Sequence, residues 1–215
     1  MMRKRNEGMI KSFQNTIPDL PDKVKTKDFN LIENFDIDKW SSSVSGSSFY
    51  FNDYAEEEEI HHLDGQTIEE AEHQIATRLY QNNARVHFNQ HIEKSGRFGK
   101  RIIYGGYIIS LARAISCNGL ANTFKLAAIH SGKHSAPTFA GDTIYAWSKI
   151  LEKEIIHKNV GAMMIRTLAS KNDSKMNFPD KKNLPDNIVL DLEYSVLIPI
   201  KSVSYTHLRA HETER

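Results

Sequence analysis

Cysteine is almost missing. Cys117 is the only one in 215 residues, which excludes an internal disulfide framework and any all-cysteine metal site. An excess of charge of one sign is also missing: 28 Lys and Arg against 27 Asp and Glu leave a formal net charge of +1, so no general attraction to nucleic acid or to an anionic membrane is expected. No window approaches the roughly 20 apolar residues that a bilayer-spanning helix needs. The basic start MMRKRNEGMIKSF lacks an apolar stretch of signal-peptide length, and the acidic residues after it argue against a transit peptide. Internal repeats of solenoid period are absent. These absences together predict a soluble protein in a reducing, cytoplasmic setting.

What the chain does contain is a composition of 40% hydrophobic and 26% charged residues, enough for one domain with a real core. Residues 1 to 48 read as a polar extension, ending in the serine-rich connector WSSSVSGSSF, which is expected to join units without packing. The ordered domain is expected over residues 49 to 200. The tail from 201 to 215, SVSYTHLRAHETER and the lysine before it, continues no pattern and reads as non-native or disordered, so His207 and His211 carry no functional weight.

Within the domain, TIEEAEHQIATRLYQ predicts an amphipathic helix. Thr67 and Glu70 have capping-box spacing, and Ile68, Ala71, Ile75 and Leu79 recur at helical intervals. GGYIISLARAISCNGL predicts a second helix, apolar nearly all round and therefore buried on several sides, with Asn118-Gly119 as its carboxy-terminal stop. TFKLAAIH, TIYAWSKIL and GAMMIRTLA suit a pleated surface. IVLDLEYSVLIPI alternates, placing Ile188, Leu190, Leu192, Tyr194, Val196 and Ile198 on a core and Asp191, Glu193 and Ser195 in water. One buried helix followed by antiparallel strands implies an α+β domain in which the sheet wraps the helix.

His87 lies between Val86 and Phe88 in QNNARVHFNQ. On its own it reads by default as a core or strand histidine with one satisfied ring nitrogen. The pairs His61/His62 and His130/His134 do not predict a metal site: neighbours on a strand point to opposite faces, and an i, i+4 pair outside a helix has no fixed convergence.

The order of four local features resembles the MaoC-like hot-dog hydratases and dehydratases, which act on acyl-coenzyme A thioesters. NNARVHFN falls where the family has Asp-x-Asn-Pro-aliphatic-His. GRFGKRIIYGGYIIS follows, with Tyr104 where the family has histidine, then PTFAGDTIYAW with Pro137, Gly141, Asp142 and Thr143, then the alternating last strand. The likeness covers about residues 50 to 200 and is greatest to the second unit of a two-unit member. It implies a hot-dog fold, with an antiparallel sheet around a central helix.

It also implies a reversible hydration of an enoyl thioester, with a small branched or dicarboxylic acyl group and no cofactor beyond the coenzyme A of the substrate. The water-activating pair falls on His87 and Asn82, and the N–H groups that would hold the thioester oxygen fall at Gly105 or Gly106. A helix amino terminus offers unpaired donors independently of the resemblance, although the two glycines could equally serve tight packing. Asn82 stands where an aspartate is common. An amide can orient water but cannot take its proton, which leaves His87 as the base or the site as a weakened copy. Glu72 and Glu93 are nearby carboxylates that read more simply as solvated charges.

Tyr104 would line the acyl pocket or merely pack. Arg97, Lys100 and Arg101, with Lys94, would meet coenzyme A phosphates or form a solvated loop. A hot-dog thioesterase and a non-catalytic acyl-coenzyme A binding domain are the competing readings. A homodimer or a separate partner hot-dog domain is expected, because the fold completes its sites between two units.

Overall fold

The structure is a computed structural model that describes residues 21–31, 35–175 and 177–201. The expectations for residues 1 to 20 and for His207 and His211 lie outside the described residues. Five strands form one antiparallel sheet: β1 (Glu59–Thr67), β2 (Lys125–Lys133), β3 (Thr143–His157), β4 (Val160–Lys171) and β5 (Ile188–Pro199). Their spatial order is β1-β3-β4-β5-β2, so β1 and β2 are the edges. The two longest helices among the described residues are α1 (Glu70–Leu79) and α2 (Gly105–Ile115).

One face of the sheet packs against α2. Ile108, Leu111 and Ala112 join Ile144, Ile150, Met163, Ile165, Leu190, Leu192, Tyr194, Val196 and Ile198 in the main core. Five of the six residues expected of β5 thus join this core, Val189 enters it in place of the expected Ile188, and the other side of the strand is covered as well. The rest of α2 is less enclosed than its composition suggests, since Ser110 and Ala114 are exposed. Asn118 and Gly119 do interrupt the helical path, with Gly119 at φ +107°, and a short turn through Leu120 comes next.

Four expectations change. Asp191, Glu193 and Ser195 do not face water. Arg166 meets Asp191 through paired bonds of 2.8 Å, Lys181 pairs with Glu193, and His130 Nε2 lies 2.8 Å from Ser195 Oγ. Polar residues can occupy a covered face when each has a partner.

Part of the cover is the segment read as a polar extension outside the ordered domain. Phe29 is buried against Val160, Ala162 and Leu197, Phe35 stacks on Phe124, and the Trp40 indole N–H donates to Asn122 at 3.0 Å. Its scattered aromatic residues supply apolar area that a mostly polar composition conceals.

The capping box of α1 does not form, because Thr67 still belongs to β1 and its hydroxyl bonds that of Thr143 at 2.8 Å. Glu69 is the N-cap and contributes no side-chain bond. The buried face of α1 is His73, Ala76 and Thr77, so the stripe Ala71, Ile75 and Leu79 faces outward. Among the described residues, no helix is long and apolar enough to cross a membrane.

Candidate active site

The run from Arg101 to Tyr104 leads into α2 in extended form and is fixed on both sides. Ile102 N–H donates to Val86 O at 3.3 Å, and Ile103 N–H donates to Thr138 O at 2.8 Å. That pairing brings the Arg85–His87 turn beside the amino terminus of α2. His87 is half-buried, and its Nδ1 lies 3.0 Å from Ile102 O, an acceptor only. Nδ1 therefore carries the proton of the neutral ring, and Nε2 keeps its lone pair. His87 lines a cavity of about 440 Å³ with Arg97, Ile103, Gly105, His134 and Thr138.

Asn82 is not among the residues that line this cavity. Its Oδ1 accepts from Ala84 N–H at 2.9 Å, two residues on, and shapes the turn that presents His87. Gly105 lines the cavity, and the first N–H groups of α2, those of Gly105 and Gly106, meet no acceptor among the described residues. Gly106 also serves packing, because a Cβ there would stand 2.6 Å from the Tyr104 ring. Tyr104 accordingly covers the start of the helix, with its ring centroid 5.6 Å from that of His87, and does not line the cavity.

The basic run divides. Arg97 lines the cavity and lies over the Phe98 ring at 5.0 Å. Lys100 sits 4.2 Å above the Phe139 ring. Arg101 is committed to Glu70 at 2.9 Å, with only 14% of its side chain exposed. Glu72 accepts from the Tyr107 hydroxyl at 3.1 Å and Glu93 lies 3.9 Å from Arg85, so neither carboxylate reaches the cavity. Burial, reinforced by Glu72, pushes the Tyr107 phenol up to about 12.

Two histidines that no motif marks are neighbours of this site. In the sequence His73 is only a helix residue; here it is buried, and its Nε2 accepts from Tyr104 N–H at 2.9 Å. Burial, then the charge of His87 and Arg101, pushes its pKa down to about 4, so it remains a neutral acceptor. His134 enters the sequence reading only as an unconvincing metal ligand. Its Nε2 lies 2.6 Å from where a Cβ would stand on Gly105, in the space that glycine leaves open. Burial holds its pKa below the ordinary range. No local sequence signal announces either contact, because each joins elements distant in the chain.

His61 and His62 hold structure. His61 Nδ1 accepts from the Trp147 indole at 2.9 Å, and His62 is buried between Asn118 O and the Ser148 hydroxyl. Among the described residues, no group of three or more His, Cys, Asp and Glu could hold a metal ion. Gly141, Asp142 and Thr143 form the turn into β3: Gly141 has φ +92°, and Asp142 accepts from Phe139 N–H at 2.9 Å.

No family model matches the chain. It is 49% identical over 204 residues to beta-methylmalyl-CoA dehydratase of Chloroflexus aurantiacus, and 41% identical over 203 residues to mesaconyl-CoA hydratase of Cereibacter sphaeroides. Each match takes in 93% of this chain, and the chain spans 58% of the length of each of these relatives. Among solved structures, a MaoC-domain protein of Chloroflexus aurantiacus superposes with a TM-score of 0.82 at 49% identity, over 88% of this chain and 55% of that one. A Mycobacterium tuberculosis protein with a double hot-dog fold superposes with a TM-score of 0.53 at 24% identity, over 75% of this chain and 45% of that one.

Proposed function

We propose, from the premise that this chain has the hot-dog fold and is a relative of MaoC-domain proteins in both sequence and structure, that it is a hydro-lyase acting on enoyl- and 3-hydroxyacyl-coenzyme A thioesters. The observation that carries this reading is one cavity lined both by His87, whose Nε2 is the ring nitrogen left to accept a proton, and by Gly105, the first residue of α2. In the hydration direction, Nε2 takes a proton from a water molecule. The water oxygen bonds to the β-carbon, and the double-bond electrons move toward the thioester oxygen, where the N–H groups of Gly105 and Gly106 hold the developing charge. The proton is returned at the α-carbon. This route draws on no cofactor beyond the coenzyme A of the substrate.

Asn82 acts as a positioning residue in this scheme, through the Ala84 N–H that its Oδ1 holds. The names of the two curated relatives support a small branched or dicarboxylic acyl group, of the mesaconyl or methylmalyl type. The outward stripe of Ile75, Leu79 and Tyr80, together with Phe88 and Ile92, leaves apolar area in water and supports a second hot-dog unit, from a second copy or a partner domain. The lone Cys117 fits a reducing, cytoplasmic setting.

The test is a spectrophotometric assay of the conjugated enoyl absorbance with short, branched and dicarboxylic enoyl-coenzyme A substrates. Loss of absorbance that depends on His87 supports the reading. Coenzyme A binding without turnover of any substrate would favour the non-catalytic alternative.

A further inference from the structure

Strand β2 ends at Lys133, and the segment after it stands between two cavities. Ser135, Ala136 and Pro137 line the cavity of His87 and also a second one, of about 460 Å³. The second cavity is basic: Lys133, Lys171, Lys181 and Lys182 line it, against the single carboxylate of Asp186. Two of the four lysines are already committed. Lys171 Nζ donates to Pro137 O at 2.7 Å, and Lys181 pairs with Glu193. Lys133 and Lys182 are exposed and meet no carboxylate among the described residues. Unneutralised ammonium groups around a concave floor draw an anion to it.

We propose that this second cavity binds the phosphorylated nucleotide end of coenzyme A, with Lys133 and Lys182 contacting phosphate, while the thioester end lies in the cavity of His87. The inference rests on the thioester reading above and adds to it where the far end of the substrate sits. The uncharged pantetheine arm passes along the shared wall at Ser135–Pro137. Leu184, Pro185 and Ile188 give the second cavity an apolar side suited to a base. Lysine fits this role because a compact ammonium meets a phosphate oxygen from many directions. The basic run at 97–101 is the poorer phosphate site: Arg101 is neutralised by Glu70 and Lys100 is held over Phe139.

The test is calorimetric titration of coenzyme A and of adenosine 3′,5′-bisphosphate into the wild-type protein, the Lys133→Gln/Lys182→Gln variant and Arg97→Gln, alongside the hydration assay. Both lysines are exposed, so the double variant should melt with the wild type. The expected result is coenzyme A affinity weakened roughly tenfold or more in the double variant, loss of bisphosphate binding, and a shallower dependence on salt. Unchanged affinity in the double variant, with wild-type hydration intact, overturns the lysine site and leaves the hydratase reading standing. Lysine-dependent binding without hydration of any enoyl-coenzyme A keeps the site and removes the hydratase. Absence of coenzyme A binding by the wild type removes both.

Discussion

The Tyr104 N–H donates to His73 Nε2 across 2.9 Å, so a buried imidazole on α1 holds the residue that starts α2. This bond needs the ring neutral. The folded ring titrates at about 4 and the free one near 6.5, so the unfolded chain takes up the proton first. The resulting stability is complete above about pH 6.5 and falls as pH drops toward 4. Chemical denaturation at several pH values should show a loss of roughly 2 kcal/mol by about pH 4.5. His73→Gln, which offers an oxygen acceptor but no titration, should lose markedly less over the same range.

His87→Ala should fold as the wild type and lower kcat/KM for enoyl-coenzyme A hydration by roughly 100- to 10,000-fold, the usual span for a general base. Steady-state kinetics checks it. Unchanged turnover would place the base elsewhere.

Gly105→Ala should act through His134. Its methyl group would stand 2.6 Å from Nε2, at the far end of a side chain that can swing away, so the melting temperature should change little. Activity should fall roughly tenfold or more, because the displaced ring and the methyl group both intrude where the thioester oxygen is held. Combined with His134→Ala, the two effects should not add, and a double-mutant cycle in kcat/KM measures the coupling.

Asn82→Asp should keep the turn, since either side chain offers an oxygen to the Ala84 N–H. Turnover should stay within roughly threefold of wild type, because that oxygen does not reach the substrate cavity. Asn82→Ala should cost about 1 kcal/mol in denaturant unfolding, the worth of one such bond.

Much of the architecture is legible in the chain because β5 alternates from Leu190 to Val196 and α2 carries an unbroken apolar face. β1 is not legible. It is an edge strand whose one buried residue is His62, held by Asn118 and Ser148 in place of apolar packing, so no period of two in hydrophobicity marks it. The face of α1 is inverted for a related reason: its core position is His73, kept inside by one backbone donor, while Ile75 and Leu79 are left outside. At the site, the turn carrying His87 and the glycines that open α2 have local signatures. The contact of His134 with Gly105 depends on sheet pairing, which no short stretch of sequence encodes.

That pairing has a consequence for how this chain tolerates change. Among the described residues β2 pairs only with β5, with Lys133 opposite Asp191, and its register shifts between Leu126 and Ala128 and again between Ile129 and Ser131. Neighbouring residues of an extended chain point opposite ways, so sliding β2 by a single position would exchange Lys133 and His134 between their two compartments. The two irregularities fix the phase of the strand, and an insertion or deletion between Lys125 and Gly132 would rewire both cavities at once while sparing every residue that lines them.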